Sequence, residues 1–173
     1  SARSLHLRDV MWIDVDPRGN LWVADAFNYR VLRFPMDPAA GCARTEADVV
    51  LGQDDFRHAA ARSDDSLSRL NLPVGVRADA RGNMYVLEWG QGAEKGQLPP
   101  RLLLYTAESI AASLREGKPA VSAARVLAPK AGDDPAILWM PSSLAYDPLR
   151  DGLWCLKVNG TAQFAIDVDL PGM

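Results

Sequence analysis

Short apolar runs alternate with polar turns along most of the chain. In the first third, such runs occupy 11–15, 21–24, 30–34 and 48–51, and the turns between them contain Pro, Gly or Asn. Each run is too short for a typical helix, and the run at 30–34 alternates polar and apolar residues as a half-buried strand does. The pattern predicts four strands joined as one antiparallel meander.

One turn-and-strand pattern occurs three times, at 16–25, at 79–88 and, less regularly, at 147–157. Each copy opens with an aspartate, turns at a glycine and continues into an apolar strand that carries an aromatic side chain. We expect Gly19 and Gly82 to provide the backbone freedom of the turn. We expect the large aromatic side chains around these strands to pack in the core or between neighbouring sheets, namely Trp12, Trp22, Tyr85 and Trp154.

The repeats divide the chain into three units, roughly 9–52, 73–128 and 141–173. Between two predicted strands of the second unit, the segment 108–115 has helix-forming residues, an early acid and a late base, which predicts a short helical insertion. Small sheets that recur along a chain stack radially, because one small sheet cannot cover both of its own faces. The sequence therefore predicts an all-β fold, a single partial β-propeller of about three four-stranded antiparallel blades.

Composition narrows the possible partners. The chain has 173 residues with a formal net charge of −3 and a pI near 5.3, which argues against a general nucleic-acid binder but leaves a local basic patch open. No apolar run is long enough to span a membrane. Cys42 and Cys155 form no CxxC pair, which excludes a cysteine-rich zinc site. We expect two free thiols, with one disulfide as the alternative. The cysteines therefore leave the compartment undecided.

Several segments follow the order of a known repeat. They are the Pro-Val-Gly-Val opening at 73–76, the Asp-x-x-Gly-Asn turn at 16–20, the strand ending in Ala-Asp at 21–25 and Asn-Tyr-Arg-Val at 28–31. These segments resemble the NHL-repeat family of β-propellers, and the run 49–53 with Phe56 is similar to the linker between bacterial NHL units. The resemblance covers most of 9–167 and is weakest in the third unit, where Lys157 replaces the acid.

The resemblance implies a closed ring of six blades, of which this chain supplies about three. Propellers generally need about 4 to 8 blades to close. We expect the chain to be part of a longer protein, and the alternative is half a ring that pairs with a second copy. An open half-ring would expose apolar sheet faces that drive association. Bacterial proteins that resemble this one are often exported, which weakly favours an extracytoplasmic location.

Strand alternation predicts which loops share an end of the sheets. The loops that enter each first strand should lie beside the loops that join the second and third strands, whereas the turns at 18–20 and 81–83 should lie at the opposite end. We expect Asp25 and Arg30 to pair with each other or to bond to turn amides at a corner of the first unit, and Glu88 with Arg101 to repeat this. The candidate ligand-binding residues at the shared loop end are Arg8, Asn28, Tyr29, Asn71, Trp89, Trp139 and Asn159.

Two classes of function follow from the resemblance. The first is a binding or scaffold module that holds a protein, peptide, carbohydrate or other ligand on its loop face. The second is a channel-centred, metal-dependent enzyme of the lactonase or peptidyl-hydroxyglycine lyase type. The second class requires carboxylate, Asn or His side chains that converge on the axis, and the residues available here are Asp14, Asp25, Glu88 and Asn71.

These four residues make no convincing metal set, so we predict no cofactor, and a metal only if the enzyme alternative holds. His6 and His58 have no metal-ligand spacing. The acidic pairs at 54–55 and 64–65 lack the spacing of a calcium-binding loop, so a solvated loop is expected there. The sequence therefore favours the binding module and leaves its ligand open.

Overall fold

The computed structural model describes residues 7–90, 98–128, 141–157 and 163–166. These ranges contain mostly β-strands, one α-helix and one short 3-10 helix at Ala26–Asn28. The elements are β1 (Val10–Val15), β2 (Leu21–Asp25), β3 (Arg30–Phe34), β4 (Met36–Asp37), β5 (Cys42–Ala43), β6 (Val49–Leu51), β7 (Pro73–Ala78), β8 (Met84–Glu88), β9 (Arg101–Tyr105), α1 (Ala107–Glu116), β10 (Ala120–Val121), β11 (Arg125–Ala128), β12 (Pro141–Asp147), β13 (Gly152–Lys157) and β14 (Gln163–Ile166).

The strands form three main antiparallel sheets in chain order. The first sheet contains β1, β2, β3 and β6, the second β7, β8, β9 and β11, and the third β12, β13 and β14. A small hairpin of β4 and β5 lies between β3 and β6. Neighbouring strands in the chain are neighbours in each sheet, so the all-β prediction and the antiparallel meanders are confirmed.

The predicted helical insertion is also confirmed, as α1 between β9 and β11. The hydroxyl of Thr106 caps the helix by accepting from the backbone N–H of Ser109 (3.2 Å), and Gly117 ends it with a left-handed conformation. The chain then forms β10, which pairs in parallel with β6 and adds a fifth strand to the first sheet. This strand was not predicted from the sequence.

Adjacent sheets pack face to face, and the apolar side chains on their facing sides are buried between them. Trp22, Val31 and Leu51 of the first sheet share one buried cluster with Val86 and Tyr105 of the second. The other face of the second sheet packs against the third through Tyr85, Leu87, Leu102, Leu144 and Leu153. Burying a large apolar side chain of this kind contributes about 1.5–3 kcal/mol. The two shared clusters therefore hold the three sheets as one stack.

The outer face of the first sheet is only partly covered. Val23, Leu32 and Phe34 are buried there beneath Phe56 and neighbouring residues. That cover does not extend over β1, whose alternate side chains Met11, Ile13 and Val15 are 45%, 59% and 58% exposed. These three side chains form an apolar row, called the β1 row below.

The first strands of all three sheets meet at Arg77. Its Nη1 donates to Asp14 Oδ1 on β1 (2.6 Å), and its Nε donates to the carbonyl of Leu144 on β12 (2.9 Å). Its guanidinium carbon also lies 5.6 Å from the centre of a ring of Trp12. Because β7 contacts both β1 and β12, the three strands lie side by side at one edge of the stack.

Three of the four aromatic residues lie where the sequence predicts them. Trp22 and Tyr85 are buried and Trp12 is half-buried, as predicted, whereas Trp154 is 38% exposed and is buried neither in the core nor between the described sheets. The aromatic residue follows its aspartate by 6 positions in the first two copies, whereas Trp154 comes one position later in the third. That shift reverses the face of the strand, and Leu153 is buried instead.

Both cysteines are free, as expected, with Cys42 exposed and Cys155 buried.

Candidate functional site

The repeated turn contains an aspartate that accepts several hydrogen bonds at once, an arrangement called the carboxylate clamp below. Asp16 accepts from the backbone N–H groups of Arg18 (2.9 Å) and Asn20 (3.0 Å). It also accepts from the side-chain amide of Asn20 (2.9 Å) and from Trp22 Nε1 (3.0 Å). The glycine of the turn, Gly19, has φ +82°, which confirms its role in turn geometry.

The second copy reproduces the carboxylate clamp with a different aromatic residue. Asp79 accepts from the backbone N–H groups of Arg81 (2.9 Å) and Asn83 (2.9 Å), and from the Asn83 amide (2.7 Å). The hydroxyl of Tyr85 donates to the same carboxylate (3.0 Å). Burial, together with the nearby Asp79 charge, raises the pKa of Tyr85. Gly82 has φ +86°, so its turn matches that of the first copy.

A pocket of about 230 Å³ opens between these two turns. The turn of the first sheet forms one side, the turn of the second forms the other, and one face of α1 closes the outer wall. The lining residues are Asp16, Pro17, Arg18, Asn20, Trp22, Arg33, Ala80, Arg81, Gly82, Ala107, Ile110, Ala111 and Leu114. The pocket is therefore at the turn end of the strands, opposite the loop end predicted to bind a ligand.

The pocket is lined by three arginines and by an apolar face of α1. Arg18 and Arg81 occupy the same position in their two turns, and Arg33 projects from β3. Arg81 Nη1 lies 2.8 Å from Asp151 Oδ2, so it is paired with the turn of the third sheet. Hydrogen bonds from Tyr146 and then Arg81 lower the pKa of Asp151. Of the three arginines, Arg81 alone is tied to the third sheet among the described ion pairs.

At the loop end, the corner pair predicted for the first sheet is confirmed. Asp25 is fully buried, and Arg30 Nε donates to its Oδ2 (2.8 Å). The same carboxylate accepts from the backbone N–H of Arg8 (2.7 Å) and from the side-chain amide of Asn28 (2.9 Å). Arg30 Nη1 donates onward to the carbonyl of Phe56 (2.7 Å). Asp25 thus holds the entering loop, the 3-10 turn and β3 together.

The corner pair of the second sheet is confirmed as well, with a second arginine added. Arg101 Nε donates to Glu88 Oε1 (2.7 Å), and the backbone N–H of Asn71 donates to Oε2 (2.8 Å). Arg62 Nε lies 2.9 Å from the same Oε1, and its side chain is fully buried. Tyr105 is buried in the same region, and this burial raises the pKa of its hydroxyl. The buried carboxylate of Glu88 is therefore the counter-charge of two guanidinium groups.

The segment 53–70, called the strap below, connects the two corner pairs. Its carbonyls at Ser66 and Arg69 accept from Arg101 Nη1 (3.1 Å) and Nη2 (3.2 Å). At its start, Gln53 Nε2 donates to the carbonyls of Tyr29 (2.9 Å) and Ala60 (2.9 Å). The strap is irregular in secondary structure, but these side-chain bonds fix it against both sheets.

The strap residues Gln53 and Arg62 were missed as determinants of the loop end. The sequence offered only a weak signal for Gln53, its position in the linker that resembles NHL units. Arg62 lies in a polar stretch without periodicity, so its partner Glu88 cannot be inferred from local pattern. Long-range pairing of this kind depends on the tertiary fold.

The predicted ligand residues have different degrees of exposure. Arg8 is exposed, and its guanidinium carbon lies 5.8 Å from the centre of the Phe27 ring. Trp89 is 36% exposed, whereas Asn71 is 3% exposed. Asn28 and Tyr29 are half-buried and contribute an amide and a carbonyl to the corner and strap contacts described above. The remaining two candidates, Trp139 and Asn159, lie outside the described residues.

The carboxylates considered for a metal centre lie in separate clusters. Asp14 is bound by Arg77, Asp25 by Arg30 and Glu88 by Arg62 and Arg101. Within 7–90, 98–128, 141–157 and 163–166, no group of three or more His, Cys, Asp or Glu side chains is arranged to hold a metal ion. His6 lies outside these ranges.

The acidic pairs of the strap have local partners. Arg69 Nη1 donates to Asp54 Oδ1 (2.8 Å), and this hydrogen bond lowers the pKa of Asp54. The pKa of Asp55 is lowered by hydrogen bonds from the backbone N–H groups of Arg57 and His58. These contacts hold the pair at 54–55 to other residues of the strap.

Neither a scan against protein-family models nor a search of curated proteins found a match for this chain. The resemblance to NHL repeats therefore stays a prediction made from the residues. Among the described residues, no helix combines the length and apolar character needed to span a bilayer.

Proposed function

We propose that this chain is a segment of an NHL-type β-propeller and acts as a binding or scaffold module. The observation that carries the proposal is the repeated unit: antiparallel sheets stacked face to face, with the carboxylate clamp at one end and an acid–arginine corner pair at the other. Repeats that bury one another in this way are typical of radial architectures. A ring of six blades would place β1, β7 and β12 around its central channel.

The loop end is the proposed ligand face. Its exposed side chains are Arg8, Phe27 and Trp89, which are residue types that dominate protein-binding surfaces. The buried Asp25 and Glu88 fix the loops that carry them, so little conformational freedom is lost when a partner binds. A protein or peptide is the partner that this combination of aromatic and guanidinium groups favours.

A peptide-display selection on the immobilised chain tests this proposal. We expect peptides enriched on the wild type to lose binding when Arg8 and Trp89 are both replaced by alanine. Trp154→Ala is the matched control, because Trp154 is 38% exposed against 36% for Trp89 but lies on the third sheet. Selected peptides that bind the double variant as well as the wild type would place the ligand face elsewhere.

The enzyme alternative is tested on the same preparation by metal analysis and by lactone hydrolysis. Stoichiometric bound metal together with turnover would overturn the binding proposal. The carboxylates available for a channel metal each contact at least one arginine, which is why we favour the binding module.

A further inference from the structure

We propose that the pocket between the first and second sheets binds a small organic carboxylate with an aromatic or branched apolar group. This site is at the turn end and does not depend on the loop-end ligand face, so it goes beyond the proposed function.

The contact of Arg81 indicates that an arginine at this position of the repeat binds a carboxylate. Its guanidinium extends from the turn of the second sheet toward the third and lies 2.8 Å from the carboxylate of Asp151. Arg18 is the corresponding residue of the first turn and lines the pocket between the first and second sheets. No described carboxylate forms an ion pair with the Arg18 side chain. A carboxylate ligand in the pocket would supply for Arg18 the partner that Asp151 supplies for Arg81.

Arg33 adds a second positive group deeper in the same space. Its side chain is 13% exposed and forms an ion pair with Asp48, whose Oδ1 lies 3.6 Å from Nε, too far for a hydrogen bond. The buried Nε has no hydrogen-bond partner among the described residues. A buried donor without an acceptor is unfavourable, so an anionic ligand that reaches it would gain a charge-assisted hydrogen bond. The pocket's acid, Asp16, is already occupied by the donors of its carboxylate clamp.

The remaining wall selects for an apolar group. One face of α1 presents Ile110, Ala111 and Leu114 to the pocket, and Trp22 is also among the lining residues. A dry cavity of about 150 Å³ holds a benzene molecule, so about 230 Å³ accommodates a phenyl ring together with a short acid chain. The apolar wall thus favours an apolar group at one end of the ligand, and the guanidinium groups favour a carboxylate at the other end.

The first test compares two probes on the wild-type chain. We expect 3-phenylpropionate to bind saturably by titration calorimetry or NMR, and its neutral analogue 3-phenylpropanamide to bind at least about tenfold more weakly, because the amide lacks the charge. The comparison needs no variant, so folding does not affect it. Equal binding of the two probes, or no saturable binding of the acid, would overturn the proposal.

The second test locates the site with substitutions. Arg18→Gln removes an exposed guanidinium, and Ala111→Trp fills the apolar part of the pocket; we expect each to weaken 3-phenylpropionate binding at least about tenfold. Arg115→Gln, an equal charge change on the exposed side of α1, is the control and should leave binding within about twofold.

The same variants separate this proposal from the loop-end one. If Arg18→Gln binds the acid as tightly as Arg115→Gln does, the pocket is not the site. Replacing Arg8 and Trp89 should leave 3-phenylpropionate binding unchanged, and a loss there would assign the acid to the loop end instead. Circular dichroism of each variant confirms that the fold is intact before titration.

Discussion

Asp79 shows how one side chain can hold a whole turn. Its two oxygens accept from two backbone N–H groups, one amide and one phenol, and the residue is 1% exposed. The phenol comes from the following strand, so the carboxylate joins the turn to the buried face of the sheet. This explains why an aspartate, a glycine, an asparagine and an aromatic residue occur at the same spacing in the first two copies.

Replacing Asp79 with alanine should destabilise the chain by about 2–4 kcal/mol, because several donors would be left without an acceptor in a largely buried position. Tyr85→Phe removes only one donor and should cost about 1 kcal/mol. Urea unfolding followed by tryptophan fluorescence measures both changes.

Asp147→Ala is the control for this prediction. Asp147 accepts from the backbone N–H of Leu149 (2.9 Å) and from Arg150 Nη1 (2.8 Å) at the exposed turn of the third sheet. Its removal should shift the urea midpoint much less than Asp79→Ala does. Equal shifts for the two variants would show that burial of the carboxylate clamp is unimportant.

Cys155 provides a prediction of pH dependence. Burial raises the pKa of its thiol from 9.0 to about 11. Between these values the folded chain keeps a proton that the unfolded chain loses, so the stability contributed by Cys155 is present below pH 9 and falls as the pH rises toward 11. Wild-type stability should therefore fall more steeply over that interval than the stability of Cys155→Ala.

The comparison with Cys155→Ala cancels the other groups that titrate in the same interval, because both chains contain them. Urea midpoints measured from pH 8 to 11 give the two slopes. Parallel slopes would mean that the thiol ionises equally well in the folded and unfolded chains.

At the scale of elements, the strap has no regular secondary structure but is held by buried ionic groups. Arg62 and Arg101 both approach Glu88, and the strap carbonyls accept from Arg101. Removing the carboxylate of such a cluster leaves the guanidinium groups buried without a counter-charge. The strap should therefore be the part of the loop end most sensitive to a change at Glu88.

Glu88→Gln should destabilise the chain by about 3–5 kcal/mol, the range typical of breaking a buried ion pair. It should also release the strap, so that trypsin cleaves at the exposed Arg57 faster than in the wild type. Urea unfolding and timed proteolysis with mass spectrometry measure the two effects.

Asp54→Asn is the control, because it breaks a surface pair with Arg69 on the same strap. Surface pairs contribute little, so its stability and its cleavage rate at Arg57 should match those of the wild type. If Glu88→Gln behaves like Asp54→Asn, the cluster does not hold the strap.

Most elements could be predicted because their signals are local. The strands at 21–24 and 30–34 alternate or are bounded by turns, and α1 has its own cap and stop residues. β10 could not be predicted, because two residues carry no periodicity and their pairing with β6 depends on how the sheets pack. The exposure of Trp154 depends on a one-residue shift in the turn of the third copy, which the similarity of the three copies conceals.

The site was predicted less completely than the fold. Asp25 with Arg30 and Glu88 with Arg101 could be paired from the repeat, because equivalent positions have equivalent neighbours. The pocket near Arg18 could not, because it is formed between two sheets and a helix that is an insertion in one unit.

At the scale of the whole molecule, the stack leaves one apolar surface open. The β1 row consists of Met11, Ile13 and Val15, each more than two-fifths exposed. In the proposed ring, another blade would pack against this row as the second sheet packs against the first. In a solution of the 173-residue chain, the row should instead promote self-association.

The double variant Ile13→Lys with Val15→Lys should reduce self-association, because charged side chains oppose burial of the row. Since both positions are exposed in the chain, its unfolding midpoint should change little. Sedimentation velocity across a range of protein concentrations measures the association.

Leu149→Lys is the matched control, because Leu149 is 92% exposed but stands alone on the turn of the third sheet. It should leave the sedimentation behaviour unchanged. Identical profiles for the wild type and the double variant would mean that the β1 row does not mediate contacts between copies.

The two-residue strand β10 couples neighbouring sheets mechanically. By chain order it belongs with the second sheet, yet it hydrogen-bonds along the outer strand of the first, where the N–H of Val50 donates to the carbonyl of Pro119 (2.8 Å). Pulling the sheets apart would have to shear this crossed connection along with the apolar layer beneath it. Under tension, the first two sheets should therefore rupture in a single step, with no intermediate in which one has come away from the other.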